Sequence, residues 1–235
     1  DNNTISDLTV TGGLDEEYSY GGGIYLSSSN PTITHVTISN NTAQGSNGGG
    51  MYLAGSDPTL THVTISNNTA EYSAGGMYLY SSNPTLTNVT IANNTADDAG
   101  GGMFLSSSNP TLTNSIIWDN SPESIYVYSG SEETIITYSD IEGGWEGEGN
   151  INSNPLFNDD YTLKEGSPCI DTGIIIEGME YYGSAPDMGA YEWEPFIDCN
   201  GVVNGNAEID DCGVCDGDNA DIDDCGVCFG NNASM

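Results

Sequence analysis

Positive charge is almost missing from this chain: among 235 residues there is one Lys, Lys164, and no Arg, against 35 acidic residues, for a formal charge of -34. Nucleic acid and anionic membranes are held by Lys and Arg that neutralise phosphates, so both partner classes are excluded, and divalent cations become the natural counterions. Long apolar runs are missing as well. No stretch approaches the roughly 20 apolar residues of a membrane span, so no direct membrane insertion is expected. The chain opens on Asp1 in a polar segment without a signal-peptide pattern, so any targeting segment is expected to have been removed. No helical period of apolar residues is visible. Cysteine is withheld until late: Cys169 stands alone, and the other five of six fall within the last 37 residues, which suits a secreted or cell-surface protein.

What fills the space is a repeat. The stretch GGGIYLSSSNPTITHVTISNNTA, residues 21–43, returns three more times, and its marks Asn30-Pro31, Asp57-Pro58, Asn83-Pro84 and Asn109-Pro110 are 27, 26 and 26 residues apart. Within a copy Ile33, Val36 and Ile38 are set against Thr32, Thr34 and Thr37, the pattern of short strands. One rung of this size cannot bury its inner face alone, whereas stacked rungs share one core. The expected fold is all-β: a parallel β-helix of about six rungs spaced roughly 4.8 Å apart. Residues 4–11 overlay residues 32–39, so the sequence begins in mid-rung, and further residues or another subunit are expected to cover that edge.

Outward residues should form files along the stack. Tyr25, Tyr52, Tyr78 and Phe104 alternate with aliphatics and are expected to make an external aromatic ladder, a candidate surface for a polysaccharide. Thr32, Thr59, Thr85 and Thr111 form one threonine file and Thr34, Thr61, Thr87 and Thr113 the next, regular enough to raise ice binding, although His35 and His62 interrupt them. Asn40-Asn41, Asn67-Asn68 and Asn93-Asn94 close the rungs, and are read as stacked corner residues before N-glycosylation acceptors.

After Trp118-Asp119-Asn120 the repeat fades, leaving TYSDIEGGWEGEGNINSNPLF, DYTLKEGSPCIDTG and DMGAYEW. These segments, with the GGGIYL rungs, resemble secreted bacterial right-handed parallel β-helix proteins of the choice-of-anchor Q type, and more loosely the repeats of chlamydial polymorphic outer-membrane proteins. The resemblance covers about residues 1–194. It implies a right-handed β-helix at the cell exterior with an exchangeable C-terminal anchoring segment, and no agreed catalytic activity. The chain divides accordingly into rungs at 1–142, a family-specific closing segment at 143–195 and a Cys/Asp-rich tail at 196–235.

The tail repeats every 13 residues at Cys199, Cys212 and Cys225, similar to the Asp-Cys-Gly-Val-Cys repeats that trail many secreted marine bacterial proteins, with Val202 where later units have Cys215 and Cys228. Cys212, Cys215, Cys225 and Cys228 have the C-x2-C-x9-C-x2-C form of a four-thiolate zinc site, but the short spacing and secreted character favour disulfides, with Cys169 available to join Cys199. Asp216, Asp218, Asp221, Asp223 and Asp224 supply hard oxygen ligands for Ca²⁺ without the full twelve-residue loop.

Polysaccharide-active enzymes use this fold, but abstraction of a uronate proton needs a basic residue, and only Lys164 is offered. Asn158-Asp159-Asp160 contains a carboxylate pair of the kind glycoside hydrolysis uses, and His35 and His62 occupy equivalent rung positions as repeat duplication would place them. The function expected is non-catalytic: an extracellular structural or adhesive protein, self-associating into a homo-oligomer or filament through its first rung and tail. The alternatives are a carbohydrate-binding module on the aromatic ladder, and, further off, a polysaccharide-active enzyme or an ice-binding protein.

Overall fold

The computed structural model describes residues 3–15, 20–131, 133–203, 205–219, 222, 228 and 229. Each of the first four rungs contributes one strand to each of three parallel sheets. The longest sheet stacks Thr4–Thr11, Thr32–Ser39, Thr59–Ser66, Thr85–Ala92, the pair Thr111–Thr113 and Ile116–Trp118, and the pair Ile135–Thr137 and Asp140–Ile141. A second holds Ile24–Ser27, Met51–Ala54, Met77–Tyr80, Met103–Ser106 and Ile125–Ser129, and a third the two-residue strands Leu14–Asp15, Thr42–Ala43, Thr69–Ala70 and Thr95–Ala96. The stack is therefore six levels deep in its longest sheet and makes about five turns, with no helix among the described residues.

The register follows the letters of the repeat. Ile33 pairs with Leu60 and Leu60 with Leu86, while Ile38, Ile65 and Ile91 line up beside them. All are at most 1% exposed, and with Met51, Met77, Met103 and the leucines two residues after each methionine they form one continuous core. Strict alternation would not turn both Ile33 and Val36 inward, since they are three residues apart. His35 resolves this: its φ of +52° puts a left-handed residue in mid-strand, and Asp7, His62, Asn88, Asn114 and Tyr138 repeat the device at the same level of their own rungs.

Where the long strands end, the two asparagines of each pair separate. Asn40, Asn67 and Asn93 take φ near +55° and face solvent, whereas Asn41, Asn68 and Asn94 are buried. The buried file is a ladder: the side-chain Nδ2 of Asn41 donates to Oδ1 of Asn68 at 3.0 Å, Asn68 to Asn94 at 2.9 Å and Asn94 to Asn120 at 3.0 Å. The stacked corner residues are thus the second of each pair, and the sequon asparagines are the exposed first. A serine ladder does the same work at the opposite corner, where Ser56 N donates to Ser82 Oγ and Ser82 N to Ser108 Oγ, both at 3.0 Å. Gly50 shows why the glycine runs cannot carry side chains, because a Cβ there would lie 2.7 Å from the Gly76 carbonyl oxygen of the next rung.

The chain forms two compact units, residues 1–193 and 194–235. Within the first, the segment after the rungs adds turns and single bridges instead of a further three-sheet rung. Trp145 packs against the core, and Leu163, Cys169 and Met188 pack against Ile116 on the outer wall of the long sheet. Gly189 N donates to Asn114 O at 2.8 Å and Ala190 N to Thr90 Oγ1 at 2.9 Å, which fastens this strap to the rungs.

In the second unit each tail repeat begins as a small antiparallel turn, with bridges Ile197 to Val203, Ile209 to Cys215 and Ile222 to Cys228. Disulfides join Cys199 to Cys215 and Cys212 to Cys228, each linking one repeat to the next. Cys199 is thereby taken, so the Cys169–Cys199 pairing that the cysteine count permits is not formed. Cys169 is a free thiol, fully buried in the first unit, where the strap tucks it under the sheet wall and Sγ donates to Asp140 Oδ2 at 3.2 Å. Because Cys212, Cys215 and Cys228 are oxidised, the four-thiolate zinc site is not formed; Cys225 lies outside the described residues.

Candidate functional site

Three regions answer to the sequence-based candidates. The aromatic ladder exists and is longer than the repeat shows. Tyr52 and Tyr78 stack at 4.8 Å and 10°, Tyr78 and Phe104 at 4.9 Å and 7°, and the column continues through Tyr25 and Tyr20 at one end and Tyr126 and Tyr128 at the other. The faces that would stack on a sugar ring are therefore turned toward one another. Tyr52 and Phe104 are each 8% exposed, and Tyr78 is half-buried, while Tyr25 at the end of the column is 48% exposed. Burial, with Tyr78 close by, raises the Tyr52 hydroxyl pKa far above the ordinary phenol value. Tyr20, Tyr126 and Tyr128 lie outside the repeated letters of the rung, and only their aromatic character near the two ends of the ladder could have signalled them.

The threonine files are also in place. Thr32, Thr59 and Thr85 are exposed and Thr111 half-buried, and Thr34, Thr61, Thr87 and Thr113 are half-buried. Thr34 and Thr61 do not form an open flat face, since they line a cleft of about 540 Å³ whose other wall is the strap at Gly178, Met179, Glu180 and Tyr191. His35 and His62 stand in this cleft with rings 5.0 Å apart, and His35 Nδ1 lies 2.9 Å from Thr34 Oγ1. Burial lowers the His62 pKa, and the neighbouring His35 adds to that, while a bond with the Ala190 backbone opposes it. Glu192 closes the cleft with both oxygens engaged: Oε2 accepts from Tyr182 N at 3.2 Å and Oε1 from Asp187 N at 3.1 Å. Its pKa is raised by burial and then by the Asp187 carboxylate. The accessible chemistry here is a pair of imidazoles beside a carboxylate committed to backbone donors. Asn158, Asp159 and Asp160 lie elsewhere, and Asp160 Oδ1 is held by Thr162 through its N at 3.1 Å and its Oγ1 at 2.6 Å.

The tail candidates divide. Asp216 and Asp218 border a hollow of about 440 Å³ with Glu208, Asp210 and Asp211, and Asp221, Asp223 and Asp224 lie outside the described residues. Among the described residues no three His, Cys, Asp or Glu side chains converge as a metal group. The organising carboxylates are Asp198 and Asp210, which the sequence reading passed over. Asp210 Oδ1 accepts from Cys212 N and Val214 N, both at 2.9 Å, and Asp198 Oδ1 accepts from Val202 N at 2.8 Å in the equivalent turn. These bonds pull both pKa values below the carboxylate range.

A family model described as "Right handed beta helix region" matches residues 1–155, well over half of the chain. The chain belongs to the right-handed β-helix family. No curated protein matches this β-helix at a significant level. Among solved structures it is similar to one titled "Crystal structure of pectate lyase Pel9A", at 13% identity and a TM-score of 0.34, over 82% of this chain and 66% of that one. The β-helix thus spans slightly under two thirds of that protein's length. No helix among the described residues is long and apolar enough to cross a membrane, and two disulfides are compatible with an oxidising, extracellular compartment.

Proposed function

We propose that this β-helix is a non-catalytic extracellular scaffold, structural or adhesive, and that residues 143–195 close and present the stack in the way the choice-of-anchor Q resemblance implies. The observation that carries the reading is the use made of the repeated side chains. Asn68, Asn94, Ser82, Ser108, Tyr52 and Phe104 direct their polar atoms or ring faces along the stack, from rung to rung, so the most regular chemistry in the chain serves cohesion. An activity assay tests this directly. The protein is incubated with a panel of neutral and uronate-containing polysaccharides, and reducing ends and unsaturated products are followed; turnover of any of them ends the proposal.

Self-association is part of the same reading. Ile125–Ser129 is the last strand of its sheet among the described residues, and it exposes Tyr126, Val127 and Tyr128 beside an edge of the kind that adds a further strand. A charge of -34 opposes contact between copies until cations screen it, and Ca²⁺ taken up by the acidic tail would do so. Light scattering with and without Ca²⁺ reads the outcome, and a strict monomer in both conditions removes this part of the proposal.

A further inference from the structure

The one Lys of the chain makes no ion pair among the described residues, although 35 acidic residues are available to it. Lys164 instead borders a cleft of about 520 Å³ on the outer corner of the rungs, where Asn67, Asn93 and Asp119 occupy the same left-handed position in successive rungs. Trp118, Phe157 and Tyr161 supply the apolar part of its wall. The loop carrying the last two is firmly set. Tyr161 Oη accepts from Asn93 Nδ2 at 3.0 Å, Phe157 and Tyr161 meet edge to face at 5.6 Å, and Lys164 N donates to Leu156 O at 3.0 Å.

Two bulky residues that line this cleft are held in strained backbone: Leu156 has φ +54° and Tyr161 φ +67°. Non-glycine residues of this kind seldom adopt left-handed φ, and such strain concentrates where a site has to be shaped. Both sit in the segment where the repeat has stopped, so translation of a rung does not account for either.

The groups in the cleft match one ligand chemistry. Half-exposed aromatic rings offer apolar faces, side-chain amides both donate and accept, Asp119 and Asp159 accept, and Lys164 donates. A hydroxyl-rich ring with an apolar C–H face uses all of these together, and the volume is that of an ordinary small-ligand site. One cation against two carboxylates, in a molecule of charge -34, repels an anionic ligand. We propose that this cleft binds a neutral saccharide, packed against Trp118 and Tyr161 and hydrogen-bonded by Lys164 and Asp159. This site lies apart from the aromatic ladder and does not depend on the scaffold reading.

Isothermal titration of the full chain with neutral cello-, laminari-, manno-, xylo- and galacto-oligosaccharides, and with a uronate oligosaccharide, tests the assignment. At least one neutral ligand should bind saturably. Lys164→Met and Asp159→Ala should each weaken it about tenfold, the loss expected for one hydrogen bond to a charged group, without moving the melting temperature. Trp118→Phe should weaken it too, and the two exposed-site variants remain decisive if Trp118→Phe fails to fold. Saturable binding of the uronate ligand alone, no binding of any neutral one, or unchanged affinity in Lys164→Met and Asp159→Ala overturns the proposal.

Discussion

Replacing Asn94 with Leu should unfold the β-helix locally and lower its stability by several kcal/mol. The Asn94 side chain makes five hydrogen bonds, donating to Ile65 O at 2.9 Å, Ala92 O at 3.1 Å and Asn120 Oδ1 at 3.0 Å, and accepting from Asn68 N at 3.0 Å and Asn68 Nδ2 at 2.9 Å. Leu has the same branching and the same number of heavy atoms, so the change removes the bonds without opening a cavity. A hydrogen bond contributes about 1 kcal/mol net, and a buried donor left without a partner costs about 1–3 kcal/mol. Asn68 N becomes such a donor, and with the other four bonds lost the total is about 5–7 kcal/mol, a large share of the ~5–15 kcal/mol that holds a domain together. Asn94→Asp should be worse at neutral pH than in acid, because an oxygen then faces three acceptors and must hold a proton. The control is Asn67→Gly, one residue earlier in the preceding rung, where an exposed left-handed residue gives way to glycine and little changes. Urea unfolding followed by circular dichroism gives the overall loss, and native-state hydrogen exchange locates it, since a stacked array opens rung by rung. A loss below about 1 kcal/mol, or one equal to that of Asn67→Gly, refutes the ladder as a source of stability.

Gly50→Ala should destabilise by about 1–3 kcal/mol, read as a lower urea midpoint, because its Cβ would meet the Gly76 carbonyl at 2.7 Å and backbone must shift. Acidification should move the two units in opposite directions. Burial raises the pKa of Asp140, Asp187 and Glu192, so the folded first unit holds protons that the unfolded chain releases; this stabilising effect is complete below the ordinary carboxylate range and disappears as pH rises through the folded values. Its melting temperature should therefore climb as pH falls through the raised folded values toward the ordinary carboxylate range, and Asp140→Asn should flatten the climb. In the tail, Asp198 and Asp210 have lowered values, so their contribution is present above the ordinary range and is lost as pH falls through the folded ones. Cys199→Ser with Cys215→Ser opens a loop of 16 residues and should remove about 3 kcal/mol from the tail alone, seen as faster cutting there by a Glu-specific protease with unchanged unfolding of the rungs.

The rungs were legible because a repeat states its own register. Once Asn30-Pro31 and Asp57-Pro58 are aligned, Ile33 falls beside Leu60 and Tyr25 beside Tyr52, as the structure has them. What alignment does not reveal is backbone handedness. His35 reads as an outward residue interrupting a threonine file, and only its φ of +52° explains how Ile33 and Val36 both face inward. The strap was illegible for a different reason. Cys169 and Asp140 are 29 residues apart and meet because a segment without repeat or period folds back on the outer wall, an arrangement that follows from tertiary packing and from no local pattern.

This difference bears on where function can reside. A side chain present in every rung meets its own copy one rung above and one below, so its best partner is that copy: asparagine amides bond amides, tyrosine faces cover tyrosine faces, and little is left for a ligand. The ladder is thus a poor place for a sugar for the same reason that it is visible in the sequence. Residues that occur once escape that constraint. Lys164 has no copy, Trp118 stands where earlier rungs have Ser39, Ser66 and Ala92, and Tyr161 reaches the corner from outside the repeat to meet Asn93. Their convergence on one cleft, with Leu156 and Tyr161 held at strained φ, is not required by the translation that builds the stack. In a solenoid of this kind the exposed departures from periodicity are therefore the positions at which variants should change binding while leaving stability intact, and the buried periodic positions are those at which they should do the reverse.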